Sequence, residues 1–242
     1  MKIPKPAFRI IAIVAFSLIY NDLWPQFGAG VSLGASQNKT TSNAAPFNSR
    51  QKALTGLFLD LQATYDLRSW LSLQADIEYI QKNTRLDRTG FYQDNYTSNY
   101  FNFLQLPVTA RFTLGTGKFQ GFLNLGGFMG YCLNGRLKGV TSNIIDYAEP
   151  TIPNPKISEL FGAIHFDENY RFEESRDNRF EAGYVVGGGL QYSASRSCRV
   201  FVQTRHYHDI TNQYKEAELF PVRSYNQSFQ ISIGTSFNLS KN

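Results

Sequence analysis

At 242 residues the chain has the length of a single domain. Lys and Arg outnumber Asp and Glu by 24 to 19, but the basic residues are scattered and form neither a block nor an RNA-binding motif, which excludes nucleic acid as a partner. An aromatic content of 15%, with 20 Phe, 14 Tyr and 19 Gly, points toward β structure.

Residues 1–25 differ from the rest. Lys2, Lys5 and Arg9 precede an apolar run from Ile10 to Tyr20, broken only by Ser17, the pattern of a cleaved export signal. The run is shorter than the roughly 20 residues a spanning helix needs. Asn21 to Pro25 contain no small-x-small cleavage motif, so cleavage is placed before Gln26 only to within several residues. The expected organisation is a signal peptide over 1–25 and one domain over 26–242.

From Gln26 onward the apolar residues alternate with polar ones, the period that puts successive side chains on opposite faces of a strand. In chain order the alternation predicts strands over 26–38, 54–66, 70–82, 99–114, 119–133, 179–192, 198–209 and 226–239. The third is the clearest: Leu71, Leu73, Ala75, Ile77 and Tyr79 interleave with Ser72, Gln74, Asp76 and Glu78. Soluble strands average about 5–6 residues, whereas a tilted transmembrane strand needs about 9–11. The connections alternate as well. The second, fourth and sixth are short (67–69, 115–118, 193–197); the first, third, fifth and seventh are long (39–53, 83–98, 134–178, 210–225). Short periplasmic turns and long external loops have this rhythm. The predicted fold is all-β, an eight-stranded antiparallel up-and-down transmembrane barrel in the outer membrane of a Gram-negative bacterium.

Outward aromatics collect at both strand ends: Tyr65, Trp70, Phe112, Phe119, Tyr192 and Phe237 on the periplasmic side, and Tyr79, Tyr100, Tyr131 and Phe180 outside. This suits the interfacial girdles of such barrels. The competing fold is a soluble lipocalin-like barrel, which would turn the same two faces inside out; strand length and the aromatic ends decide against it.

Eight strands enclose an interior that side chains just fill. Asp60, Asp76, Glu78, Glu181, Arg111, Arg199 and Arg205, with Lys82, fall on the inward face and are expected to form a balanced charge network that plugs it. If Tyr65 pairs with Leu71, Asp60 lies opposite Asp76. Paired carboxylates suit glycosidase chemistry, but a plugged lumen has no room for a sugar. His206 and His208 share the opposite face of one strand, where they could ligate a metal or serve a lipid-processing hydrolase; neither a nucleophile elbow nor HExxH accompanies them. No catalytic, cofactor or metal residues are therefore assigned. Gly187 to Gly189 is read as relief of crowding in a tight barrel, since no helix follows it.

The connection 134–178 exceeds what closure requires, and loops beyond about 12–15 residues are usually functional or disordered. Asn154 and Pro155 read as an N-cap and first helical residue. Ile157, Leu160, Phe161 and Ile164 then share one helical face, which is expected either to pack on the barrel rim or lie in the lipid interface, or to dock a protein or glycan ligand.

Several phrases together resemble the PorT-like outer-membrane β-barrel family: GAGVSLG (Gly28 to Gly34), FLQLPVTARF (Phe103 to Phe112), GGFMGY (Gly126 to Tyr131), GYVVGGGLQY (Gly183 to Tyr192), and Arg205 with Ile210 to Asn212. The resemblance implies an eight-stranded barrel; one branch of the family serves the type IX secretion system. The expected function is a monomeric, non-enzymatic barrel embedded in outer-membrane lipid that presents external loops for binding or envelope integrity. An accessory of a secretion or envelope-assembly machine is the alternative, and a lipid-modifying enzyme a further one.

Overall fold

The computed structural model describes residues 26–43, 48–147, 156–215 and 223–239. The expected export signal over 1–25 and the expected cap at Asn154 and Pro155 lie outside the described residues. Ten strands are present: β1 (Gln26–Ser42), β2 (Ser49–Ala53), β3 (Thr55–Arg68), β4 (Leu71–Arg88), β5 (Tyr96–Leu114), β6 (Phe119–Tyr147), β7 (Phe161–Asn169), β8 (Phe180–Ser193), β9 (Cys198–Asp209) and β10 (Ser224–Asn238). Eight of them close a ring in the order β1-β3-β4-β5-β6-β8-β9-β10, with β10 returning to β1 and every pairing antiparallel. The two extra strands lie off the ring: β2 pairs with the outer end of β4, and β7 with the outer end of β6.

The faces sort as the alternation requires. Leu59, Leu73, Ile77, Val108, Leu125 and Ile233 are exposed on the outside, while Asp60, Gln74, Asp76, Glu78, Gln105 and Gln230 are buried within. A barrel in water would have to hide the first set; only lipid accepts it, which rejects the lipocalin-like alternative. Phe27 packs on Tyr65, and Trp70 stacks on Phe112, at the periplasmic rim.

Three local expectations are corrected. Tyr65 pairs with Leu73, not Leu71, because Arg68 already faces Leu71 across a two-residue turn and an irregularity follows between Asp66 and Arg68. The difference is two residues, so every side chain keeps its face, but Asp60 comes to lie opposite Glu78 and Gln62 opposite Asp76. Second, the long connection after residue 133 is largely strand: β6 runs to Tyr147 and β7 folds back on it. Third, the amphipathic helix is a single turn, α1 (Ile157–Leu160), after which Phe161 and Ile164 belong to β7. Ile157 is buried, whereas Ile164 is exposed, so the four residues do not form one apolar face. The outer edge of β6 offers unpaired backbone groups, and pairing with β7 satisfies them along nine positions; a further helical turn would leave that edge open.

Cys132 and Cys198 are both free. They sit toward opposite ends of the barrel, and a disulfide needs Cα atoms within about 7 Å. Thiol labelling of denatured, unreduced protein should therefore modify both; protection of the pair would contradict this topology.

Candidate functional site

The interior is built in three levels. At the periplasmic level, Arg111 donates to Gln74 Oε1 (3.3 Å) and Gln191 Oε1 (2.7 Å), and its guanidinium lies 3.6 Å above the Phe122 ring, itself edge-on to Phe201. Gly189 leaves room for this packing, and Gly187 for Arg205 in the next level. A Cβ at Gly189 would stand 2.7 Å from Phe122 Cζ, and one at Gly187 2.9 Å from Arg205 Cγ. Arg111 is thus held by amides and a ring rather than by carboxylates, and its register neighbours, Ser72 and Asn124, are likewise uncharged. Arg199 is only half-buried and belongs to none of the buried ion pairs among the described residues.

The middle level carries Asp60, Asp76 and Glu78, whose ligand oxygens all lie within 4.8 Å of one another. Arg205, 1% exposed, reaches across from β9: Nη1 is 2.7 Å from Asp76 Oδ2 and 2.5 Å from Glu78 Oε1, and Nη2 is 4.0 Å from Asp60 Oδ2. Tyr207 donates to Glu78 Oε1 (2.7 Å), while Ser32 and Gln62 donate to Asp60 Oδ2 (3.1 and 2.7 Å). Three converging carboxylates repel unless a cation neutralises them, and a forked guanidinium can serve several oxygens at once.

The third level lies toward the outside. Lys82 pairs with Glu181 (2.7 Å) and approaches Asp209 (3.6 Å), with its ammonium over the Phe103 ring. Among the described residues the three lumen levels therefore bury five carboxylates, Asp60, Asp76, Glu78, Glu181 and Asp209, against Lys82, Arg111 and Arg205, not the balanced four and four expected. Asp209 and Tyr207 belong to this interior as well, and strand parity places both on the face of Arg205. Their neighbours on the other face are the histidines: His206 is exposed, and His208 stacks on Tyr184 at 5.0 Å.

Above Lys82 and Glu181 the mouth encloses a cavity of about 600 Å³. Phe101, Tyr170 and Phe172 pack mutually on one wall, while Asn38, Ser224 and Asn226 line another. Asp177 ties the segment after β7 in place. It accepts from Tyr170 Oη (3.1 Å), the Glu173 amide (2.9 Å) and Arg176 Nε (2.9 Å), and the Asn178 amide donates to the Gln213 carbonyl (2.8 Å). Burial works to raise the Asp177 pKa, but the bonds from Arg176, Glu173 and Tyr170 outweigh it and hold the carboxyl below its ordinary value. Burial and the charge of Asp177 push the Tyr170 phenol up to about 12. A depressed carboxylate contributes stability above its unfolded pKa of about 4, and loses it as pH falls through the folded value. The amides of Asn178 and Lys215 should accordingly gain exchange rate, beyond the intrinsic pH effect, when hydrogen exchange is followed into that acid range. Asp177→Asn should produce the same loosening at neutral pH; equal protection in the variant would remove Asp177 as the clamp.

A family model described as the outer membrane protein beta-barrel domain matches residues 24–214. No curated protein matches the chain. Among solved structures, the outer membrane protease OmpT of Escherichia coli is similar with a TM-score of 0.52 and 10% identity, over 88% of this chain and 97% of that one. OprG of Pseudomonas aeruginosa gives 0.46 and 11%, over 90% and 98%. Neisserial surface protein A gives 0.41 and 13%, over 88% and 97%. At these identities the likeness is one of fold.

Proposed function

Because the chain belongs to the outer membrane protein β-barrel domain family and is an integral protein of the Gram-negative outer membrane, we propose that it is a non-enzymatic barrel whose external mouth binds a ligand. The observation that carries this reading is the cavity above Lys82 and Glu181: it has an aromatic wall and an amide and hydroxyl wall, and its floor is closed by paired charges and by the packed levels beneath. A pore would need those levels to part. The barrel fills its own lumen, and what it offers the outside is the mouth and the β6-β7 hairpin that rises beyond the membrane.

The test has two arms. Purified protein in planar bilayers should show no steady porin-level conductance, and such conductance would overturn the closed floor. Affinity capture from crosslinked native membranes should then be compared between the full chain and a form shortened in the β6-β7 hairpin, with folding checked by heat-modifiable gel mobility. Unchanged capture by the folded, shortened form removes the hairpin from the binding account. A second reading, an accessory of a type IX-like secretion or envelope-assembly machine, draws on the PorT-like phrases, which lie along β1, β5, β6, β8 and β9 and, for Ile210 to Asn212, just past the end of β9. Recovery of secretion components in the same capture selects it.

A further inference from the structure

We propose that the outer face of β5 and β6, just beyond the lipid-facing surface, is a binding groove for the phosphate of an outer-leaflet lipid headgroup. The inference rests on the membrane location and not on the mouth cavity, which lies inside the same strands and shares only Tyr170 and Phe172 with the groove among their described lining residues.

The groove begins where the hydrocarbon-facing surface ends. Leu104, Tyr131 and Leu133 are exposed on the outside of the barrel, 41%, 47% and 41% respectively. At Leu133 the register of β6 shifts against β5, so that Asn102 faces Asn134 while Phe103 faces Cys132. Leu133 and Asn134 are consequently both exposed, and the outward series continues as Asn134, Arg136 and Lys138. The change from apolar to basic residues occurs within one strand and on one face. β7 supplies Asp167 opposite Lys138, and Arg179 enters at the start of β8.

Charge makes this groove an anion site. Arg136, Lys138 and Arg179 line it together with one carboxylate, Asp167. Asp167 is held by Arg136 Nε and Nη2 at 2.5 and 2.9 Å and approached by Lys138 Nζ at 3.6 Å. Two positive charges remain uncompensated in the groove. Arg179 is the built element. Its Nε and Nη2 donate to the Cys132 and Leu133 carbonyls, and its guanidinium stacks between Tyr131 (4.7 Å) and Phe172 (4.4 Å). An arginine fixed against an aromatic of the membrane belt keeps its charge at headgroup height.

Continuity with the lipid-facing surface is what selects a lipid over a free anion. A molecule with its phosphate among Arg136, Lys138 and Arg179 can lay its acyl chains along Leu133, Leu104 and Met129, all exposed on the same side. Basic clusters bordering the apolar band recognise anionic headgroups in this way.

The probe is diphosphorylated lipid A, supplied in phosphatidylcholine nanodiscs carrying the full-length folded protein, with retained lipid counted by native mass spectrometry. Wild type should retain lipid A, and the triple variant Arg136→Gln, Lys138→Gln, Arg179→Gln should lose retention by about tenfold or more, as expected for removing several basic groups near an anionic surface. Arg136→Gln also frees Asp167, so Lys138→Glu alone, which leaves the Arg136-Asp167 pair intact, is measured beside it and should also weaken retention. Lys118→Gln with Arg196→Gln, in the periplasmic turns, should leave it unchanged. Retention of dephosphorylated lipid A at the wild-type level overturns phosphate recognition. Displacement of lipid A by inorganic phosphate at comparable concentration overturns the lipid as source, and undiminished retention by both groove variants overturns the site.

Discussion

Arg205→Met is expected to destabilise the barrel by about 3–5 kcal/mol, the cost of leaving buried charge without its partner. The substitution keeps an unbranched apolar stem and removes the guanidinium, so the loss reports on the missing charge together with its hydrogen bonds to the carboxylates. Asp60, Asp76 and Glu78 stand within 4.8 Å of one another, and Arg205 is the cation that bridges them. Tyr207 and Gln62 each satisfy one oxygen but supply no charge. Arg205→Lys should fall between wild type and Met, because an ammonium keeps the charge and gives up the planar fork that spans two carboxylates. Adding Glu78→Gln to Arg205→Met should recover part of the loss, since it removes one repelling carboxylate. Urea unfolding in lipid vesicles, read by tryptophan fluorescence and confirmed by heat-modifiable mobility, measures all three. An unchanged midpoint for Arg205→Met would show that these carboxylates do not depend on the guanidinium.

The second large effect lies on the opposite face of the sheet. Leu125 is 59% exposed, midway along the spanning part of β6 between Ala110 and Val186. Leu125→Arg should cost about 2–4 kcal/mol, as a charge on the lipid face near the bilayer midplane does. Leu239, 62% exposed at the periplasmic end, should tolerate Arg at a cost of about 0–1 kcal/mol. The two leucines have nearly equal exposure, so a barrel in water would treat both changes as surface substitutions within about ±0.5 kcal/mol. The difference between them is a measure of membrane depth, and its absence in vesicles would argue against lipid around this face.

Much of the architecture is legible in the sequence. The eight ring strands were each placed to within a few residues over their membrane-spanning parts, because lipid on one side and a packed polar lumen on the other force every second residue to be apolar. Past the external rim, water bathes both faces and the alternation stops, although the backbone can go on pairing. That is why β2 and β7 were unforeseen, why residues 134–147 read as loop when they continue β6, and why Ile157, Leu160, Phe161 and Ile164 suggested a helix where one turn and a strand are found.

The interior divides along the same line. Parity by itself determined which residues face inward: Asp60, Asp76, Glu78, Glu181, Arg111 and Arg205 are all buried, and a register error of two residues could not disturb that, since the side-chain period is two. Which of them meet was decided only by ring closure, which sets β9 across the lumen from β3 and β4. Closure gives Arg205 to the three carboxylates, sends Lys82 to Glu181 and Asp209, and leaves Arg111 with Gln74, Gln191 and the Phe122 ring. Alternation is a local property of each strand and can be read along the chain; partnership across a barrel depends on register, turn geometry and strand stagger summed around the whole ring, and no single segment carries it.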